Sequence, residues 1–289
     1  KMYMLKLQNK SDSITNQLTK TLCDEITIDF PNEAQSYTIK ADYYNLINNK
    51  KEAQKNYVSG LKIDDSEFKS WEQLVLVDAE LEEYDSLVKH STTALELFPN
   101  KGVIWYFNGS ANYMVKDYEK AIFSFEKAKK LSQSNIRLLA DINAQLGDVY
   151  HATKNYEKSD LAYDEVLSVN PSNEHVLNNY SYYLSLRNEK LDKAYEMSKK
   201  TLDRSPNNAT YIDTHAWVLY KMNKYAEAKE ILSKIVDAST SAEVVEHYAD
   251  ILYKLNEKEN ALKYWNKAKS LGNGSSFLEQ KIKEGKLYE

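Results

Sequence analysis

One position, most often alanine, returns seven times along the chain: Ala53, Leu87, Ala121, Ser159, Ala194, Ala228 and Ala261, at spacings of 34, 34, 38, 35, 34 and 33. A second series precedes it by twelve residues, or thirteen in the fifth copy: Ala41, Val75, Gly109, Gly147, Ser181, Ala216 and Ala249. Seven residues after it come Gly60, Ala94, Ala128, Val166, Thr201, Ile235 and Ala268. The first two series are mostly small because antiparallel helices cross closely only where neither carries bulk. Four residues after the alanine series lie mostly large fillers, among them Tyr57, Phe125, Tyr163 and Trp265. A period of about 34 is that of a helix–turn–helix unit, which cannot bury its own apolar face and must stack on its neighbours.

Turn residues agree. All four prolines, Pro31, Pro99, Pro171 and Pro206, fall at one place in the repeat, just past a helix, where proline stops one helix and can start the next. Only seven glycines occur. Average usage would give roughly 14 prolines and 20 glycines, so long helices with short connections are implied and sheet is not. The 23 tyrosines suit an array that needs flat, large side chains between helices.

The spacing predicts helix pairs at 33–47/50–63, 67–81/84–97, 101–114/118–131, 135–152/156–168, 174–187/191–204, 208–221/225–237 and 242–255/258–270. Asp117 and Asn155 stand where N-caps belong, and Asn256 with Glu259 fits a capping box. Bulky Val75 and Leu87 predict a wider second pair. The extra residues Ile136–Leu139 predict a first helix longer by about one turn or a local kink, and one further residue is inserted near Lys190–Leu191. The whole of 1–289 reads as a single array. Residues 1–30 read as the remnant of an upstream repeat, 34–271 as seven repeats and 275–289 as a capping helix. In that cap Phe277, Leu278 and Ile282 are expected to face inward, with Lys and Glu outward.

The stretches GVIWYFNGSANYMVKDYEKAIFSFEKAKKL from Gly102 and ADINAQLGDVYHATKNYEKSDLAYDEVLSVNP from Ala140 resemble the tetratricopeptide repeat, with its Trp, Leu-Gly, Tyr, Ala, Phe, Ala and Pro at fixed offsets. The resemblance covers about seven repeats, Ala34 to Leu271. It implies an all-α, right-handed superhelical solenoid whose concave groove is lined by the first helix of each pair. Carried onto this sequence, it makes Asp148, His151, Asn178, Asn179, Tyr182, Asp213, Trp217, Tyr220 and Tyr253 the candidate groove residues. Such a face is aromatic, amide-rich and biased toward acid. Aromatic side chains are favoured at binding hot spots. No basic residue is expected in the groove to clamp a carboxylate, so the partner is expected to be a protein or peptide with a neutral to basic segment.

No catalytic constellation emerges. The five histidines show no pair at the spacing of a helical zinc motif, and no phosphate loop or nucleophile elbow is present. The single cysteine, Cys23, excludes an internal disulfide and a cysteine zinc cage. The net charge of −5 argues against nucleic acid, which demands a basic face. No apolar run approaches the roughly 20 residues of a membrane helix. We therefore read a non-enzymatic scaffold or adaptor with neither metal nor cofactor. Two alternatives remain: the recognition module of a larger enzyme or regulator, and self-association through the N-terminal face. Residues 177–232 also resemble repeat proteins of the bacterial envelope, which slightly favours its periplasmic side over the cytoplasm.

Overall fold

In the computed structural model, residues 13–272 and 274–289 are described, and among them sixteen α-helices and no strands occur. They are α1 (Ser13–Asp29), α2 (Ala34–Leu46), α3 (Lys50–Ile63), α4 (Phe68–Glu80), α5 (Tyr84–Leu97), α6 (Gly102–Met114), α7 (Tyr118–Leu131) and α8 (Ile136–Ala152), followed by α9 (Tyr156–Val169), α10 (Glu174–Arg187), α11 (Leu191–Arg204), α12 (Ala209–Lys221), α13 (Tyr225–Leu232), α14 (Ala242–Lys254), α15 (Lys258–Leu271) and α16 (Leu278–Glu284). The chain divides into two compact units, Lys1–Ala162 and Tyr163–Glu289.

Each helix pair from α2–α3 to α14–α15 turns through one left-handed residue: Asn48, Glu82, Lys116, Lys154, Asn188, Asn223 and Asn256, with φ between 55° and 64°. Four of the seven are asparagine, whose short polar side chain tolerates this region better than most L-residues. The fifth turn absorbs its inserted residue with a second left-handed position, Lys190, φ 45°. Asn256 is therefore the turn residue itself. The N-cap of α15 is Glu257, which makes no side-chain cap bond, so the expected capping box is absent. Side-chain caps do form at Asn49, Asp117, Asn135, Asn173, Asn208 and Ser241, each satisfying an orphan amide of the first turn.

In the first unit the small-residue series lies at the helix crossings. Ala41, Ala53, Ala94, Ala121 and Ala128 are all 0 % exposed. At Gly109 a β-carbon would lie 2.7 Å from Cδ1 of the buried Phe125 ring, so α6 and α7 meet at van der Waals contact only because the side chain is missing. Val75 and Leu87 are buried too, and α4 and α5 approach each other less closely than α2–α3 or α6–α7. Asn108 joins three helices: its Nδ2 donates to Ser91 Oγ at 2.9 Å on α5, and its Oδ1 accepts from Ser124 Oγ at 2.7 Å on α7. A buried amide matched on both sides fixes one register where apolar packing alone would tolerate sliding. Helix α8 has 17 residues where α6 has 13, so the insertion lengthens it by one turn.

The second unit packs around Ile212, Leu219, Val245, Ile251, Leu252 and Trp265. Each such side chain contributes roughly 1.5–3 kcal/mol by leaving water. His215 and Ser198, joined at 2.8 Å, link α11 to α12 within the core, and burial pushes the imidazole down to about 4. The helix expected over 225–237 ends at Leu232. There the backbone tightens into i→i−3 bonds, such as Ile235 N to Leu232 O at 3.2 Å, and Lys267 Nζ caps the freed carbonyls of Val236 and Asp237 at 2.9 and 3.1 Å.

The cap departs from expectation. Helix α16 has only seven residues. Leu278 is buried and Ile282 packs against the core, but Phe277 is 42 % exposed and Lys281 is 3 % exposed. The lysine expected in solvent enters the protein because two carboxylates on α14 receive it.

Candidate partner-binding site

Three first helices of the second unit, α10, α12 and α14, present one stripe of side chains each to a common cavity of about 440 Å³. From α10 come Tyr182 and Leu186, from α12 Trp217 and Lys221, and from α14 Glu243, Glu246, His247 and Asp250. The remaining wall is the C-terminal segment, including Ser275, Phe277, Lys281, Tyr288 and Glu289. The spacings of three and four residues from Glu243 to Glu246 to Asp250 put all three carboxylates on one helix face.

The aromatic floor is built by stacking. The Trp217 indole lies 4.0 Å from the His247 ring centroid and 4.7 Å from that of Tyr220, nearly parallel to both. Lys221 Nζ sits 4.9 Å from the Trp217 centroid, where the ring quadrupole attracts a cation. Trp217 is only 7 % exposed, and its Nε1–H is buried without an acceptor. Such a donor leaves its desolvation uncompensated. His247 Nδ1–H donates to Asp213 Oδ1 at 3.0 Å. Burial pulls this imidazole down, but the Asp213 carboxylate outweighs it and holds the group above its ordinary value.

The C-terminal wall is held by charge. Lys281 Nζ donates to Glu246 Oε1 at 2.9 Å and to Asp250 Oδ2 at 2.7 Å, with all three side chains 3–4 % exposed. Glu246 also accepts from the Ser275 amide at 2.7 Å and from its hydroxyl. Burial pushes Glu246 up, yet the Ser275 donors and Lys281 prevail and hold it below its ordinary value. Asp250 is different. Burial keeps it above its ordinary value although Lys281 and the Trp265 indole, the latter at 2.7 Å, both favour the anion. Farther along, the Glu289 carboxylate accepts from the Tyr220 phenol and pairs with Lys254 at 3.1 Å.

The structure brings together only part of the candidate set. Tyr182 and Trp217 line the cavity, and Asp213 reaches it through His247. Tyr220 is 2 % exposed and spends its phenol on Glu289, so it is a packing residue. Tyr253 turns its ring to Trp265, 5.6 Å between centroids. Asn178 is buried and donates to Asn179 Oδ1 at 3.3 Å; neither asparagine lines the cavity. Asp148 and His151 belong to the first unit, where Asp148 is buried and His151 lies 5.4 Å from the Tyr156 ring. The expectation that the groove holds no basic residue fails here, because Lys221 and Lys281 both line the cavity. Lys221 was legible at four residues after Trp217. Lys281 carried no local signal.

Sequence models of the tetratricopeptide repeat match residues 104–135, 140–173 and 170–275, together more than half of the 289 residues. The chain is a tetratricopeptide-repeat protein. A TPR repeat-containing protein of Methanocaldococcus jannaschii, MJ1428, is 24 % identical over 294 residues, covering 84 % of this chain and 51 % of that protein. The chain thus spans about half the length of this curated relative. A tetratricopeptide-repeat protein of Parabacteroides merdae superposes with a TM-score of 0.67 over 87 % of this chain and 98 % of the other at 16 % identity. YrrB, described as a TPR protein with an unusual peptide-binding site, superposes with a TM-score of 0.51 over 63 % of this chain and 91 % of its own at 16 % identity. These tetratricopeptide neighbours carry the all-helical solenoid fold onto this chain. The matched repeat is a protein-interaction module.

Proposed function

We propose that this tetratricopeptide array is a protein-interaction module whose C-terminal unit holds an extended segment of a partner protein against α10, α12 and α14. The observation that carries the reading is the cavity floored by Trp217 and walled by Tyr182, Phe277 and Tyr288 with carboxylates at its side. Its volume suits one or two side chains of a bound chain. Aromatic walls supply contact area at low conformational cost, and the polar rim fixes orientation. That YrrB is described as having a peptide-binding site supports the same reading by analogy of fold.

A photo-crosslinking residue at position 182, compared with one at the exposed Lys234, tests it in extract of the native host. A protein adduct formed from 182 and not from 234 is the expected result. Adducts from 234 alone would move binding off this face and sink the reading.

One observation favours a second reading, self-association. Ile14, Leu18 and Leu22 form an i, i+4, i+8 stripe on α1 and are 75, 48 and 46 % exposed. Light scattering at two concentrations tests it, and a concentration-independent monomer removes it.

A further inference from the structure

The three carboxylates of the α14 stripe differ in what they hold. Glu246 and Asp250 share Lys281. Glu243, one turn earlier, is exposed and accepts the Tyr182 phenol at 2.8 Å. Among the described residues no lysine or arginine pairs with it. The carboxylates lining the cavity are Glu243, Glu246, Asp250 and Glu289, against the cations Lys221 and Lys281. Lys281 is consumed by the buried pair, and Lys221 sits over the Trp217 ring and 3.6 Å from Glu289. His247 is matched by Asp213. The lining carboxylates outnumber the lysines by two: one excess charge is shared within the buried Glu246–Asp250–Lys281 cluster, and the one open to an incoming side chain is Glu243. The face also displays its own preference: the polypeptide already docked on this stripe, the C-terminal segment, enters with a lysine.

We propose that the cavity takes one basic side chain, arginine or lysine, from the polypeptide held on this face, with Glu243 as its counter-ion. This rests on the proposed function above and specifies its anchor. The methylene stem of the guest lies along Leu186, Phe277 and the exposed edge of Trp217. Its cationic head reaches Glu243, the stripe carboxylate left without a cation. Long basic side chains divide in this way between an apolar stem and a charged tip. A glutamate or aspartate guest meets like charge at the same point. A neutral guest of the same shape keeps the stem contacts and loses the ion pair.

The test uses a defined probe. The pentapeptide acetyl-Gly-Gly-Arg-Gly-Gly-amide is titrated into the whole protein while the Trp217 indole N–H resonance, assigned with Trp217→Phe, is followed by NMR. Its isostere with citrulline in place of arginine removes the charge and keeps the shape. The expected result is a saturable shift with a dissociation constant on the order of 1 mM and binding of the citrulline peptide weaker by about fivefold, the worth of one partly exposed ion pair. Glu243→Gln should reduce the arginine peptide to the level of the citrulline one. Equal binding of both peptides, an unaffected Glu243→Gln variant, or no saturable shift from either peptide each overturns the proposal. Crosslinking from position 182 reads the broader function independently. A partner captured there with no arginine preference would leave the interaction face standing and remove its basic anchor.

Discussion

Replacing Lys281 with methionine keeps the bulk of the side chain and removes its charge from between Glu246 and Asp250. Both carboxylates are at most 4 % exposed. Breaking one side of a buried ion pair costs about 3–5 kcal/mol, because the remaining charge stays desolvated. The segment has a cheaper escape. Apart from its polar contacts, its docking rests on Leu278, with Ile282 and Leu287 partly buried, and burying one such leucine is worth roughly 1.5–3 kcal/mol. The variant should therefore release α16 before the rest of the unit unfolds. A local penalty of about 3 kcal/mol corresponds to roughly 150-fold more opening. Hydrogen exchange of the peptide covering residues 275–289 reads this as a comparable loss of protection at pH 7.5. The pH dependence follows from Asp250, which burial already holds above its ordinary value with Lys281 present. Without Lys281 it rises further. A group whose folded value is raised stabilises the fold below its unfolded value and loses that contribution as pH rises through the folded one. The loss of protection should accordingly shrink between pH 7.5 and pH 5. Neutralising the cluster entirely with Glu246→Gln/Asp250→Asn/Lys281→Met should recover most of the protection. A loss below about threefold, well under the ~1.4 kcal/mol of a tenfold change, or one equal at both pH values, would refute the claim that Lys281 holds the segment down.

Three further outcomes follow from the packing. Gly109→Ala should destabilise the first unit by about 1–3 kcal/mol in urea unfolding, because overpacking against Phe125 outweighs the gain in helix propensity; a stabilised variant would show that the crossing has slack. Lys116→Gly should raise the melting temperature, since a left-handed lysine costs up to about 1–2 kcal/mol that glycine does not, and a lowered melting temperature contradicts the turn geometry. For His215, burial lowers the folded value to about 4, so the folded state binds fewer protons and stability falls as pH drops from about 6.5 toward 4, by up to ~1.4 kcal/mol per unit. His215→Gln should flatten that limb of the unfolding free energy; an unchanged slope would assign the acid sensitivity elsewhere.

The fold was legible because its determinants are local and repeated. Alanines that mark the crossings are sterically required, so one copy announces the next. The four inserted residues Ile136–Leu139 could be read as a turn of helix because nothing in them breaks one. What the sequence concealed depends on residues far apart. Lys281 sits among exposed Lys and Glu on a short helix, and only the carboxylates 31 and 35 residues earlier make its burial possible. Tyr220 falls at a groove position of the repeat, yet Glu289, 69 residues later, takes its hydroxyl. Periodicity tells which stripe of a helix faces its neighbours; it does not tell what else in the chain will cover that stripe. The same reasoning explains Asn256, which satisfies the capping pattern by type but is claimed by the turn.

The added turn of α8 bears on how such a chain changes over time. Four residues span about 400° of helix, so inserting them at one end returns the side chains to within about 40° of their former bearings. Gly147 stays at its crossing, where the Ser159 hydroxyl donates to its carbonyl at 2.8 Å, while Ile136, 64 % exposed, is carried outward on new ground. One or two residues added there would have swung the start of the helix away from its partners. Growth in whole turns lets a single unit acquire a private surface without renegotiating the contacts it shares, and each first helix of the array offers such a place.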